Sequence, residues 1–105
     1  MQLLRAGIWI SVLLPISANA GEIYGTIRQG NNPVVGRSVY VSCGTRNSSP
    51  VTLNRYGSYR ILAPAQGSCS LHMDGLQIGV QSYQRPARYD LEIRNVNGQA
   101  RLVRR

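Results

Sequence analysis

The chain has 105 residues, is 43% hydrophobic and 15% charged, and sets twelve basic residues, every one an arginine, against four acidic ones for a formal charge of +8. That length supports one domain. One histidine, two aspartates and two glutamates are too few for a metal centre or for catalysis that needs several ionisable groups, while the arginine excess favours anionic partners.

The first segment does not read as part of a fold. MQLLR is a short basic start, AGIWISVLLPI is an apolar run of eleven residues, and SANA ends in the small-x-small pattern of Ala18 and Ala20. These are the marks of a secretory signal peptide over residues 1–20, cleaved after Ala20. A membrane-spanning helix needs about 20 apolar residues. Pro15, Ser17 and Asn19 close the run too early for that, so no transmembrane segment is expected after processing. No cysteine lies at the cut to carry a lipid. The expected mature protein is a single domain, 21–105, of 85 residues and charge +7, periplasmic or extracellular. Both cysteines, Cys43 and Cys69, remain in it. An even number in an exported chain argues for a disulfide, with two buried free thiols as the alternative.

From Gly21 the pattern alternates. In EIYGTIR, Ile23, Gly25 and Ile27 share one face and Glu22, Tyr24, Thr26 and Arg28 the other, which predicts a half-buried strand. QGNNPVVG is a turn, because Asn and Gly tolerate left-handed angles and Pro33 fixes φ. SVYVSC resumes the alternation with Val39, Val41 and Cys43 inward. Val51 and Leu53 form a short apolar segment, and NRYG suits a tight reversal into SYRIL, which predicts a hairpin. After APAQGS comes CSLHM, with Cys69, Leu71 and Met73 inward. Asp74-Gly75 then makes a hairpin turn into LQIGVQSY, where Leu76, Ile78 and Val80 face the core. Beyond Pro86, Tyr89, Leu91 and Ile93 alternate with Arg88, Asp90, Glu92 and Arg94, and Asn97-Gly98 turns the chain into a short edge strand, QARLVRR. Seven or eight short strands spaced near ten residues apart, without an amphipathic helix, predict an all-β sandwich.

The order of these signals resembles a known family. GEIYGTIR, NPVVGRSVYVSC, VTLNRYGSYRILAPAQGSCSLHM and RPARYDLEI together resemble the carboxypeptidase regulatory-like domain, a transthyretin-like Greek-key sandwich of seven strands. The resemblance runs from Gly21 to about Ile93. It implies that the second and fifth strands are antiparallel neighbours, which places Cys43 near Cys69. It also implies a non-catalytic accessory module, since no peptidase domain accompanies it here. The hydroxyisourate hydrolases use a related fold, but with several histidines and a C-terminal Tyr-Arg-Gly-Ser; this chain has one histidine and ends in LVRR.

His72 and Asp74 are the only acid–histidine pair two residues apart, and no G-x-S-x-G elbow accompanies them. No catalytic residues, metal or cofactor are therefore expected. With the family's strand order, one sheet turns outward Glu22, Tyr24, Thr26, Arg28, Arg60, Arg88, Asp90, Glu92 and Arg94, a mixed-charge face typical of solvated surface. The other turns out Tyr40, Ser42, Ser70, His72, Gln81 and Tyr83, uncharged groups suited to hydrogen bonding and ring stacking on glycans or protein backbone. Arg101, Arg104 and Arg105 are expected to add a salt-sensitive attraction to anionic polymers. Export removes nucleic acid as the usual target of such charge. The expected function is a non-enzymatic interaction or accessory module for an envelope protein or polymer. A carbohydrate-binding module for cell-wall or envelope glycans is the alternative, and a small hydrolase comes third.

Overall fold

The structure, a computed structural model, describes residues 21–105, and the expected signal peptide lies outside the described residues. The described chain is all-β: β1 Glu22–Gln29, β2 Asn32–Pro33, β3 Ser38–Cys43, β4 Arg46–Asn47, β5 Val51–Thr52, β6 Ser58–Leu62, β7 Gly67–Met73, β8 Leu76–Ser82, β9 Ala87–Arg88, β10 Leu91–Val96 and β11 Gln99–Arg104. Seven of these have five or more residues, and four are two-residue pairings that extend a neighbour.

Two sheets form. In one, β1 is central: β6 and β2 pair with it antiparallel, β9 and β10 pair with it parallel, and β11 closes the edge against β10. In the other, the path runs β4-β3-β7-β8, with β5 also pairing with β3. Alternation decides which residues meet between the sheets. Ile23, Ile27, Ile61 and Leu91 from the first pack with Val39, Val41, Leu71 and Met73 from the second, each 2% exposed or less. A one-residue slip in pairing would move a whole strand's apolar set into water, so this period-2 pattern also fixes register.

The two Asx-Gly turns are as the sequence predicts. Asp74 and Gly75 have φ of 52° and 80°, and Asn97 and Gly98 have 52° and 81°, the left-handed pair that a two-residue hairpin needs. The NRYG hairpin is not. A reversal is present, with Gly57 N–H donating to the Asn54 carbonyl at 2.9 Å, but the segments on either side belong to different sheets: β5 pairs with β3 and β6 with β1. Turn chemistry alone cannot distinguish a hairpin from a crossover, because both need the same local reversal.

Cys43 and Cys69 form a disulfide with their Cα atoms 4.3 Å apart. The ladder puts Val41 opposite Leu71 and Ser42 opposite Ser70, so the bond joins facing positions of neighbouring strands β3 and β7. The free-thiol alternative is thereby excluded. A relay of two tyrosines links the sheets. Tyr59 on β6 donates its hydroxyl proton to the Tyr89 carbonyl at 2.6 Å, and the Tyr89 hydroxyl accepts from Gln81 N–H at 2.8 Å and donates to the Gln81 carbonyl at 3.2 Å. Gln81 belongs to β8, in the opposite sheet. Burial first, then the nearby Asp90 and Tyr89, push the Tyr59 hydroxyl well above the ordinary tyrosine range.

Candidate functional site

The outer face of the β3-β7-β8 sheet is laid out in cross-strand rows. Tyr40 faces His72, which faces Gln77; Ser42 faces Ser70, which faces Gly79; Ser68 faces Gln81. These eight positions include no charged side chain. The Tyr40 and His72 rings stack with centroids 4.5 Å apart and planes within 5°. Ser42 Oγ lies 2.8 Å from His72 Nε2, in a hydrogen bond that fixes the tilt of the imidazole. The stack is thus intramolecular: each ring uses one face on the other, so what remains for a partner is the ridge of ring edges and the opposite faces. Beside it, a Cβ added at Gly79 would meet nothing within 4 Å, so the sheet dips there.

Of the outward residues expected from the sequence, Tyr40, Ser42, Ser70 and His72 come together as one patch. Gln81 lies on the row beyond, its Oε1 3.4 Å from Ser68 Oγ. Tyr83 does not join them. It follows the end of β8, six residues past the Gln77 that faces His72, a distance of about 20 Å along an extended chain. There it is stacked instead under the Arg85 guanidinium, 5.4 Å from its centroid. Residues of one parity share a face but not a neighbourhood, which depends on register. Gln77, Gly79 and Ser68 were missed in the sequence reading; with register unknown, alternation through LQIGVQSY was the only signal for the first two.

A serine hydrogen-bonded to histidine begins a nucleophile–base pair, but a third group must hold the imidazole for acyl transfer. Asp74, the acid considered for this, is drawn away into an ion pair with Arg37. Its own left-handed backbone at the hairpin turn aims it out of the row of alternating side chains. Tyr40, not a carboxylate, packs on the ring.

Charge is organised on the rest of the surface. All four acids are ion-paired: Arg37 with Asp74, Arg60 with Glu22, Arg88 with Asp90 and Arg94 with Glu92. Among the described residues, Arg28, Arg46, Arg55, Arg85, Arg101, Arg104 and Arg105 then carry the net positive charge. The three expected C-terminal arginines are exposed but differ in role. Arg101 faces Arg94 directly across the β10–β11 pair, an unfavourable like-charge contact moderated by Glu92, 3.3 Å from Arg94. Arg104 lies over the Tyr89 ring at 4.6 Å and roofs the end of the core. Arg105 N–H is held by the Asp90 carbonyl at 3.0 Å. Asp90 also accepts from Thr26 N–H at 3.0 Å, Thr26 Oγ1 at 3.1 Å and Arg88 Nε at 2.9 Å. Burial alone would raise its pKa, but these bonds and the Arg88 charge together outweigh that and hold the carboxyl below the ordinary aspartate value.

The mixed-charge face of the other sheet is not featureless: a groove of about 510 Å³ opens where β6 meets β5. No protein-family model and no curated protein sequence matches the chain.

Proposed function

We propose that this chain is a small exported, non-enzymatic binding module of the carboxypeptidase regulatory-like type, which docks an envelope protein or polymer on the outer face of the β3-β7-β8 sheet. The observation that carries the reading is the uncharged patch itself: eight outward positions over three strands without an ionic group, in a chain with eleven arginines after Ala20. Removing water from hydroxyls, amides and aromatic edges costs far less than removing it from guanidinium groups. A partner can therefore dry this surface while the arginines around it attract from a distance. The disulfide supports export, because such bonds persist in oxidising compartments. The two-sheet sandwich, with β3 and β7 as antiparallel neighbours, supports the family assignment.

A second reading, recognition of an envelope glycan, is favoured by the row Ser42–Ser70 beside the open position at Gly79, where sugar hydroxyls would find donors and acceptors without displacing an ion pair. Gly79→Arg tests the surface, since the space above it is empty and the fold should tolerate the side chain. Binding of the mature, disulfide-bonded protein to an array of uncharged envelope glycans and to isolated envelope proteins should fall at least tenfold in the folded variant. Undiminished binding by folded Gly79→Arg and by Tyr40→Ala/His72→Ala would show that recognition lies elsewhere.

A further inference from the structure

The groove on the opposite sheet has a construction of its own. Across its floor, Tyr24 on β1 is flanked by its two cross-strand neighbours, Arg60 on β6 and Arg88 on β9. Their guanidinium carbons lie 5.3 and 6.0 Å from the Tyr24 ring centroid, one on each side. Each arginine is fixed from behind by a carboxylate: Arg60 Nη1 by Glu22 at 2.6 Å, and Arg88 Nε by Asp90 at 2.9 Å. Neither is consumed by that contact. Both side chains remain well exposed, at 64% and 59%, and the Nη groups of Arg88 and the Nη2 and Nε of Arg60 make no hydrogen bond among the described residues.

The wall above is polar. Thr52, Asn54 and Ser58 line it, and Asn54 Oδ1 is occupied by the N–H groups of Tyr56 and Ser58 at 2.9 and 3.0 Å, which turns its amide nitrogen outward as a donor. Apolar lining is limited to Val51 and the ring of Tyr59, with no deep apolar pocket to anchor a peptide side chain. The free groups of this groove are therefore mostly donors, two of them cationic and held in fixed planes.

Such a set calls for a ligand rich in acceptors, with negative charge. A single carboxylate cannot satisfy both arginines, because they stand two strand spacings apart, roughly 10 Å, with an aromatic ring between them. We propose that the groove binds an acidic polysaccharide: two carboxylates along one chain engage Arg60 and Arg88, the sugar between them lies over the edge of Tyr24, and its hydroxyls bond to Thr52, Ser58 and Asn54. Planar guanidinium groups already oriented by Glu22 and Asp90 lose little side-chain freedom when a carboxylate binds. The seven arginines without a carboxylate partner add the long-range field that brings a polyanion to the surface. This site is separate from the Tyr40–His72 face and does not depend on it.

The test is calorimetric titration of the mature, disulfide-bonded protein with a uronic-acid hexasaccharide, its uncharged counterpart and an acidic hexapeptide. Binding is expected for the uronate alone, weakened at least tenfold by Arg60→Gln/Arg88→Gln and less than threefold by Arg46→Gln/Arg101→Gln, which removes the same charge elsewhere. Arg60→Lys/Arg88→Lys keeps the charge but not the fork, and should lose at least threefold. Equal losses in the two Gln pairs would reduce the effect to general electrostatics and overturn the site. So would equal affinity for the peptide or the neutral sugar, or no binding of the uronate at millimolar concentration. If the Gln pair does not fold, the Nε–H resonances of Arg60 and Arg88 in the unaltered protein decide: they must shift on titration, and their failure to do so refutes the proposal. Gly79→Arg, whose added charge lies on the other sheet, should change this titration less than threefold, so failure of one surface does not imply failure of the other.

Discussion

Removing one oxygen atom, in Tyr89→Phe, should measurably loosen the contact between the two sheets. The Tyr89 side chain is in the core at 7% exposure, and its hydroxyl takes both the N–H and the carbonyl of Gln81. Those two backbone groups point to the free edge of β8, where no further strand pairs, so phenylalanine leaves both without a partner. A buried backbone group left unsatisfied costs about 1–3 kcal/mol. Gln81 is half-buried and water can reach part of the gap, so the expected loss for the pair is about 2 kcal/mol. A domain of this size is stable by roughly 4–13 kcal/mol in total, and the melting midpoint should fall by roughly 10 °C. The only tryptophan, Trp9, precedes the expected cleavage point, so urea unfolding is best followed by circular dichroism, with hydrogen exchange at the Gln81 amide as a local readout. Tyr59→Phe should cost about 1 kcal/mol for its single bond. The double variant should cost less than the sum, because the two tyrosines share one network. A loss below about 0.5 kcal/mol in Tyr89→Phe, with Gln81 exchange unchanged, would refute the idea that this hydroxyl joins the sheets.

Three further outcomes are expected. Non-reducing peptide mapping of exported protein should recover Cys43 linked to Cys69, and converting both to alanine should cost about 3.5 kcal/mol, the chain-entropy value for a separation of 26 residues. Gly25→Ala should abolish the stable fold at a cost above about 4 kcal/mol, seen as lost soluble yield and strand signal, because its Cβ would sit 2.0 Å from the Tyr89 carbonyl oxygen at a φ of +155°. Asp90 binds its proton more weakly in the folded state, so its contribution is complete above the ordinary value of 3.8 and disappears as pH falls through the lower folded value. Urea midpoints of the parent and Asp90→Asn should accordingly differ most near neutral pH and converge in acid.

The seven longer strands, their inward residues and the Asx-Gly hairpins were legible in the sequence, since these are local matters: period-2 alternation sets the face, and Asp74-Gly75 and Asn97-Gly98 accept left-handed angles that other residues resist. The two-residue pairings at Asn32–Pro33, Arg46–Asn47 and Ala87–Arg88 were not, because they lie in turn and loop sequence and exist only through a neighbouring strand. Gly25 could be assigned inward, but not the reason it must be glycine, which is the Tyr89 backbone passing 64 residues away in sequence. Nor could NRYG be recognised as a crossover. Among the site residues, parity placed Tyr40, Ser42, Ser70 and His72 outward, and the fold brought them together as a patch. Only register could pair Tyr40 with His72 and leave Tyr83 at the far end. From sequence alone the groove at Tyr24 is indistinguishable from mixed-charge solvated surface, because its arginines come from β6 and β9 and acquire a common orientation only when both strands flank β1. A sequence specifies which way each side chain faces along its own strand; which side chains become neighbours across strands is decided by long-range pairing, whose partners are distant in the chain and leave no local signal.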